Sequence, residues 1–283
     1  MKKFLSLLLF FTFAIFLNGC NDFKDIDDID VDGTELSVNQ FDYYLNEYEE
    51  FNNENQTQLD NKWYDVDIEI LEENYKDEDN YTKTKIVAKG KVYLSKFTYE
   101  NKFKLDIEYV TETKSKSDDK DSKVEIERTE KDIEYIQING RKYCKEKVKY
   151  EADGEEGKAT NYSMSPNSIV NQVMNYILTD VSSKVFGMNI DYVSLKYESD
   201  FYKIKNGFAL ELEKEDEEKY QLTFTTLKDS YQVKKAKAYI EKESEYNGRT
   251  TSFKCRSEIK TIWFGIIKEP KNIEDYMGTS FDF

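Results

Sequence analysis

The sequence predicts an α+β fold in which one strongly curved antiparallel sheet is covered by two helices. Three observations predict it: apolar and charged residues alternate through most of the chain, Asn-Gly pairs recur between the alternating segments, and two segments show helical periodicity. Roughly ten predicted strands each have one apolar face, and two helices cannot cover a flat sheet of that width. The sheet is therefore expected to curl into a half-barrel around its helices.

The first helix is predicted over residues 37–55. Ser37 fits the N-cap position, where a side-chain oxygen accepts a backbone N–H bond. The apolar residues recur at the spacing of one helix face, at Phe41, Tyr44, Leu45, Tyr48 and Phe51. This helix is expected to cover part of the sheet.

The second helix is predicted over residues 165–187, midway along the chain, as the lid of the half-barrel. Ser165 fits the N-cap and Pro166 the first helical position, where the missing N–H costs nothing. Gly187 fits the position that ends a helix. The apolar stripe comprises Ile169, Val170, Val173, Met174, Ile177, Leu178, Val181, Val185 and Phe186. A stripe of this width needs a partner surface, and the flanking strands are expected to supply it.

The strands are predicted in two blocks, one on each side of the midway helix. Asn-Gly pairs that begin at Asn139, Asn206 and Asn247 are typical of two-residue hairpin turns. Residues 111–123 contain only Lys, Asp, Glu, Ser and Thr, and are predicted as a long solvated loop. Because strands do not alternate with helices, an antiparallel meander with one wet face is expected.

Composition excludes several classes of function. The chain has 57 acidic and 41 basic residues, a formal net charge of −16, and no histidine. A surface this acidic repels nucleic acid, so no nucleic-acid partner is expected. Without histidine, Ser-His-Asp and Cys-His nucleophiles and His-ligated metal sites cannot form. We expect no enzyme activity, no cofactor and no metal site.

The N-terminus resembles a bacterial lipoprotein signal peptide. Two lysines and an apolar run too short to span a bilayer are followed by Leu17, Asn18, Gly19 and Cys20, which resemble the lipobox. Asn18 is the less usual residue of the four. The resemblance implies removal of residues 1–19 and acylation of Cys20, which would hold the protein at the extracytoplasmic face of a bacterial cell membrane.

Residues 20–36 are predicted as an acidic tether that stands the domain off the membrane. The segment contains Asp22, Asp25, Asp27, Asp28, Asp30 and Asp32. Asp28, Asp30 and Asp32 also match the opening of a calcium-binding loop. The twelfth position of that loop is Asn39 instead of a bidentate Glu, which favours the tether.

Residues 37–283 are predicted to form a single domain, and their order of elements resembles the LolA/LppX-type lipoprotein-carrier fold. Residues 136–143, with the sequence IQINGRKY, are similar to the strand–turn–strand stretch before that family's midway helices. Residues 264–275, which include Pro270, are similar to its closing extended segment. The resemblance implies an apolar ligand inside the half-barrel, without cofactor or chemistry. A membrane anchor departs from the soluble carriers and favours a tethered role.

A ligand in the half-barrel would contact inward-facing side chains of both strand blocks and of the midway helix. Alternation cannot decide whether the concave side holds a ligand or is filled by side chains. The residues expected to line it are Val66, Ile68, Ile70, Phe103, Leu105, Val173, Met174, Ile177, Leu210 and Phe224.

Two cysteines remain after Cys20, and both occupy apolar-facing positions of predicted strands. Cys144 and Cys255 would form a disulfide outside the cytoplasm if their Cα atoms came within about 7 Å of each other. Otherwise they are two buried thiols. The sequence leaves both possibilities open.

Two functions follow from these expectations. The first is a lipid-anchored protein that binds an acyl chain, a lipid or the lipid of a lipoprotein in a half-barrel cavity. The second is a surface-displayed interaction or structural lipoprotein with a filled core, acting through its acidic outer face and its loops. The volume and lining of the space beneath the midway helix would decide between them.

Overall fold

The computed structural model describes residues 23–54, 62–94, 101–116, 122–138, 141–163, 198–214, 218–226 and 233–262. These residues form one helix and a single sheet of twelve strands. The helix is α1 (Val38–Glu54). The strands are β1 (Thr34–Leu36), β2 (Lys62–Asp77), β3 (Asn80–Leu94), β4 (Asn101–Ser115), β5 (Lys123–Ile138), β6 (Arg141–Ala152), β7 (Glu155–Ser163), β8 (Asp200–Ile204), β9 (Gly207–Lys214), β10 (Glu218–Thr226), β11 (Val233–Tyr246) and β12 (Arg249–Ile262).

Two antiparallel meanders merge into this sheet, whose order is β1-β8-β9-β10-β11-β12-β2-β3-β4-β5-β6-β7. Strands β2 to β7 form one meander and β8 to β12 the other, and β12 pairs with β2 between them. The antiparallel meander predicted from alternation is confirmed. Among the described strands β1 and β7 are the two edges and do not pair with each other, so the sheet is open.

The two faces of the sheet differ because successive side chains of a strand point to opposite sides. We call the face that carries Ile68, Leu105 and Ile133 the inner face, and the opposite side the outer face. On β2–β6 the outer face carries cross-strand ion pairs such as Lys91–Asp65, at 2.8 Å.

Helix α1 lies where the sequence predicts it and packs on the inner face at the β8 end of the sheet. The Ser37 Oγ accepts a bond from the Gln40 backbone N–H at 3.4 Å, and the Gln40 Oε1 accepts one from the Ser37 backbone N–H at 2.9 Å. These reciprocal bonds form a capping box. One turn later, Phe41 is fully buried against Phe201 of β8.

Residues 23–33, which we call the strap, cross the outer face of the sheet, and this corrects the prediction of a solvated tether over residues 20–36. Ile26 and Ile29 are each 2% exposed and pack with Leu71 and Tyr239. The prediction was wrong from residue 23 onward because it weighed the aspartates and overlooked the isoleucines between them.

Polar contacts fix the path of the strap across the strands. Lys85 of β3 donates a bond to the Lys24 carbonyl oxygen at 2.9 Å. Asp25 pairs with Lys254 of β12, and Asp28 pairs with Lys219 of β10, each at 2.9 Å. The backbone N–H of Ile29 donates to the buried Gln221 side chain of β10 at 3.0 Å. The strap then continues into β1, which pairs with β8. Residues 23–54 thus pass from the outer face, around the β1 edge, to the inner face.

The hairpin turns are partly as predicted. Asn247 and Gly248 have φ of 53° and 69°, as a two-residue turn of this type requires. In the turn before β9 the two linking residues are Lys205 and Asn206, one position earlier than predicted, because Ile204 pairs with Gly207. A further turn at residues 153–154, before β7, was not predicted.

One predicted loop is shorter than expected, and three predicted features lie outside the described residues. The predicted loop over residues 111–123 is shorter than expected, because β4 runs to Ser115 and β5 begins at Lys123. The Asn139-Gly140 turn, the helix over residues 165–187 and the extension over residues 264–275 lie outside the described residues. Within the described part of the chain, none of the helices has the length and apolar character needed to cross a bilayer.

Candidate functional site

The largest buried apolar cluster of the described residues lies on the inner face of the six adjacent strands β12, β2, β3, β4, β5 and β6. Antiparallel pairing puts inward-facing residues side by side, so they form rows across the strands. One such row contains Ile68, Ala88 and Ile107. The members of this inner-face cluster are Val66, Ile68, Ile70, Ile86, Ala88, Val92, Phe103, Leu105, Ile107, Ile133, Tyr135, Cys144, Cys255 and Ile259.

The inner-face cluster is tightly buried, and aromatic residues strengthen one of its rows. Phe103 of β4 and Tyr135 of β5 face each other directly and their rings stack at a centroid distance of 4.6 Å. In the next row, Gly90 lies between Val66 and Leu105. A Cβ atom at Gly90 would collide with the Lys104 carbonyl oxygen, so the close approach of β3 and β4 requires glycine here.

Five of the ten predicted ligand-lining residues fall in this cluster: Val66, Ile68, Ile70, Phe103 and Leu105. Two others, Leu210 and Phe224, are on the same face but belong to a separate cluster beneath α1. The last three, Val173, Met174 and Ile177, lie outside the described residues. The described members of the predicted site therefore lie in two separate clusters and do not line one site.

The cluster beneath α1 is filled by the protein's own aromatic rings. Phe41 stacks on Phe201 at 4.1 Å between ring centroids and meets Phe208 edge-on at 5.7 Å. Phe208 stacks in turn on Phe224 at 5.2 Å. Because these rings occupy the space, Leu210 and Phe224 have the role of core residues. The inner-face cluster is the candidate site.

A charged pair interrupts the apolar pattern at the β5–β6 end of the inner face. Lys131 and Glu146 point inward in register with the cluster, opposite Ile107 and Ile133 respectively. Their side chains are only 10% and 7% exposed, and the Lys131 Nζ lies 3.9 Å from the Glu146 Oε2. The sequence analysis missed this pair. The signal was available, since each residue is a charge at an inward position of an alternating strand.

Cys144 lies beside this pair and Cys255 lies at the far end of the cluster, and both are buried cysteines outside any disulfide. Strands β2, β3, β4 and β5 separate β6 from β12, and each strand step is about 4.8 Å. The structure therefore favours the thiol alternative over the disulfide. Burial raises the pKa of the Cys144 thiol to about 11, and the negative charge of Glu146 adds to the shift.

The outer face of the same strands carries many charged side chains that pair across neighbouring strands. Lys89 pairs with Asp67, and Lys149 pairs with Glu130, at 3.2 and 2.8 Å. Two like charges also face each other directly: burial and a hydrogen bond to Asp132 raise the pKa of Asp106 above its usual value.

These features give the two faces of the described sheet different chemistry, apolar on the inner face and charged on the outer face. The described residues contain no cluster of three or more metal-ligating side chains. The inner-face cluster supplies apolar area, and the Lys131–Glu146 pair supplies the buried charges at its border. No known protein family and no curated protein sequence matches the chain.

Proposed function

We propose that the protein is a lipid-anchored, extracytoplasmic protein that binds an apolar ligand, an acyl chain or a lipid, against the inner face of β12 to β6. The observation that carries the proposal is the inner-face cluster, which spreads over six strands. A continuous apolar surface of this kind is what a ligand with a hydrocarbon chain requires. Each methylene that such a ligand buries there would contribute about 0.8 kcal/mol.

The proposed cover for this face is the apolar stripe of residues 165–187, which the sequence analysis predicts as a lid helix. The described helix, α1, contacts β1 and β8 at the other end of the sheet. In this proposal the sheet curves into a half-barrel, and the ligand lies between the inner-face cluster and the stripe that includes Val173, Met174 and Ile177. The resemblance to the LolA/LppX-type carriers supports this arrangement.

The membrane anchor in this proposal is Cys20, at the end of the lipobox-like segment. Acyl chains on Cys20 would hold the protein at the extracytoplasmic face of the cell membrane. Mass spectrometry of the N-terminal peptide tests it: the proposal expects a diacylated Cys20 as the first residue. Replacement Cys20→Ser should release the protein from the membrane fraction. An unmodified Cys20 in the wild-type protein would contradict the anchor.

A pair of matched substitutions tests the ligand site. Ala88 lies within the inner-face cluster and Ala238 lies on the same face beneath α1, and both are buried. Ala88→Phe fills the proposed binding region, whereas Ala238→Phe adds the same volume to the filled cluster. We expect binding of a fluorescent twelve-carbon acyl probe to weaken at least about tenfold in Ala88→Phe and to change little in Ala238→Phe.

Thermal unfolding of both variants provides the control, because overpacking costs stability at either position. Equal losses of affinity in the two variants would mean that binding follows stability and not the site. Absence of probe binding by the wild-type protein would refute the ligand proposal itself.

The acidic outer face supports a second candidate, a surface-displayed interaction protein with a filled core. Asp106 faces Asp132 across β4 and β5, whereas the neighbouring Glu108 and Glu130 already pair with Arg128 and Lys149. Like charges directly opposite each other are unfavourable, and a basic protein partner would neutralise them. Crosslinking in whole cells should then recover a basic partner whose binding weakens as salt increases. Binding that does not depend on salt would contradict this candidate.

A further inference from the structure

We propose that the outer face of β2 and β3, beside the start of the strap, lies against the membrane surface, and that the inner face therefore points away from the bilayer. The inference rests on the proposed function, because it takes Cys20 as the lipid-anchored residue. It is carried by a juxtaposition: Cys20 is only three residues before Phe23, where the strap begins to pack on the outer face.

The start of the strap is fixed above one row of the outer face. This row contains Lys254, Leu71 and Lys85, side by side on β12, β2 and β3. At one end of the row Lys85 donates a bond to the Lys24 carbonyl oxygen, and at the other end Lys254 pairs with Asp25, each at 2.9 Å. The strap therefore begins above the interior of the sheet and not at one of its borders.

The connection from Cys20 to the strap is too short to turn this face away from the membrane. Three residues span at most about 11 Å when fully extended. From Lys85, the start of β3 at Asn80 is five residues away, which is about 17 Å. The β7 edge is four strand steps from β3, which is about 19 Å. Because the connection reaches around neither border, Cys20 and the row must lie on the same side of the sheet.

The same reach sets the distance between the strap and the bilayer. Acyl chains on Cys20 would lie in the hydrocarbon core, which is covered on each side by a polar layer about 5 to 8 Å thick. A connection of at most about 11 Å is used largely in crossing that layer. The start of the strap would therefore lie at the outer limit of the lipid head groups.

The charges beside the row allow this approach, although the chain as a whole is acidic. A net charge of −16 repels anionic lipid at long range. On the outer face of β2 and β3, however, lysines neutralise carboxylates across the two strands. The ion pairs are Lys83–Glu73, Lys89–Asp67 and Lys91–Asp65, at 3.1, 3.2 and 2.8 Å. This part of the surface therefore opposes an anionic bilayer less than the rest of the protein does.

Two labelled positions test the orientation. Lys89→Cys places a thiol on the outer face of β3, and Ala159→Cys places one on the inner side of β7; both positions are exposed. The full-length acylated protein, labelled with a fluorescent maleimide, is incorporated into phosphatidylcholine–phosphatidylglycerol vesicles whose head groups carry a nitroxide quencher. We expect the label at position 89 to lose most of its fluorescence and the label at position 159 to lose little. Protein without an added cysteine gives the background from the buried Cys144 and Cys255.

A spacer tests whether the short connection causes the orientation. A flexible Gly-Ser insertion of about twenty residues after Asp22 would span about 25 Å on average. The protein should stay on the vesicles, but the quenching at position 89 should be lost. The same insertion after Gly154, in the exposed turn between β6 and β7, leaves the connection unchanged and should keep the quenching.

The outcomes separate the orientation from the anchor. Quenching at position 159 that equals or exceeds that at position 89, quenching at neither position, or quenching at position 89 that survives the spacer would overturn the orientation. In each of these cases flotation of the protein with the vesicles would still support the anchor. A wild-type protein that carries no lipid and does not float with the vesicles would refute the anchor, and the orientation with it.

Discussion

The two halves of the sheet have the same alternating sequence pattern, but they differ in which of the described segments pack on them. Residues 23–54 pack on both faces of strands β8 to β11, with the strap on the outer face and α1 on the inner face. Strands β3 to β6 carry ion pairs on the outer face, and the inner-face cluster draws its members from strands alone among the described residues. Alternation decides which way a side chain faces, whereas coverage depends on segments that are distant in sequence.

The largest expected effect is in the half beneath α1, where Phe41 connects α1 to the sheet. Because Phe41 is fully buried against Phe201 and Phe208, Phe41→Ala should lower the free energy of unfolding by about 4 kcal/mol. Urea unfolding followed by circular dichroism measures it. Tyr43→Ala on the same helix is the control: Tyr43 is 58% exposed, and its loss should cost less than about 0.5 kcal/mol.

A second prediction concerns the strap. Ile29 is buried on the outer face between Tyr239 and Leu71, so Ile29→Ala should cost about 3 kcal/mol in unfolding free energy. The neighbouring Asp30 is exposed, and Asp30→Ala should leave the stability nearly unchanged. Equal and negligible effects of the two changes would mean that residues 23–33 are a free tether after all.

The half formed by β12 to β6 is tested through the Cys144 thiol, which is buried on the inner face. Burial raises the pKa of this thiol to about 11, above its value in the unfolded chain. As the pH rises, the thiol therefore ionises first in the unfolded state, and this ionisation stabilises the unfolded state relative to the folded one. Stability should therefore be unaffected below about pH 8.5, and should fall by about 2 kcal/mol as the pH rises toward 11. Urea midpoints measured across this range report the loss. Cys144→Ala should reduce that dependence on pH, even though the cavity lowers stability at every pH; an unchanged slope would show that other groups cause it.

The smallest expected effect is at the start of α1. The Ser37 side chain accepts the Gln40 backbone N–H, and Ser37→Ala should cost about 1 kcal/mol. Asn39, which is exposed, provides the control, and Asn39→Ala should change the stability by less than about 0.5 kcal/mol. A Ser37→Ala variant as stable as this control would mean that the capping box does not set the helix start.

Local patterns were sufficient for the features that depend on neighbouring residues. Period-two alternation identified Val66 and Leu105 as inward-facing, and the Ser37 cap located the helix to within one residue. The strap could not be predicted this way, because the partner of the Ile29 amide, Gln221, is 192 residues away. Lys131 and Glu146 were missed for another reason: alternation was used to find apolar positions, and charges at those positions were not examined.

The pairing of β12 with β2 has a consequence for biosynthesis. The meander β2 to β7 consists of hairpins between neighbouring strands, so it can form as soon as those residues emerge. Its β2 edge then stays unpaired until residues 249–262 have been made, and an open edge of this length invites pairing with other chains. The strap is subject to the same delay, because Asp25 can pair with Lys254 only after the chain has grown by another 229 residues. A chain that lacks β12 would therefore expose the β2 edge and be prone to aggregation.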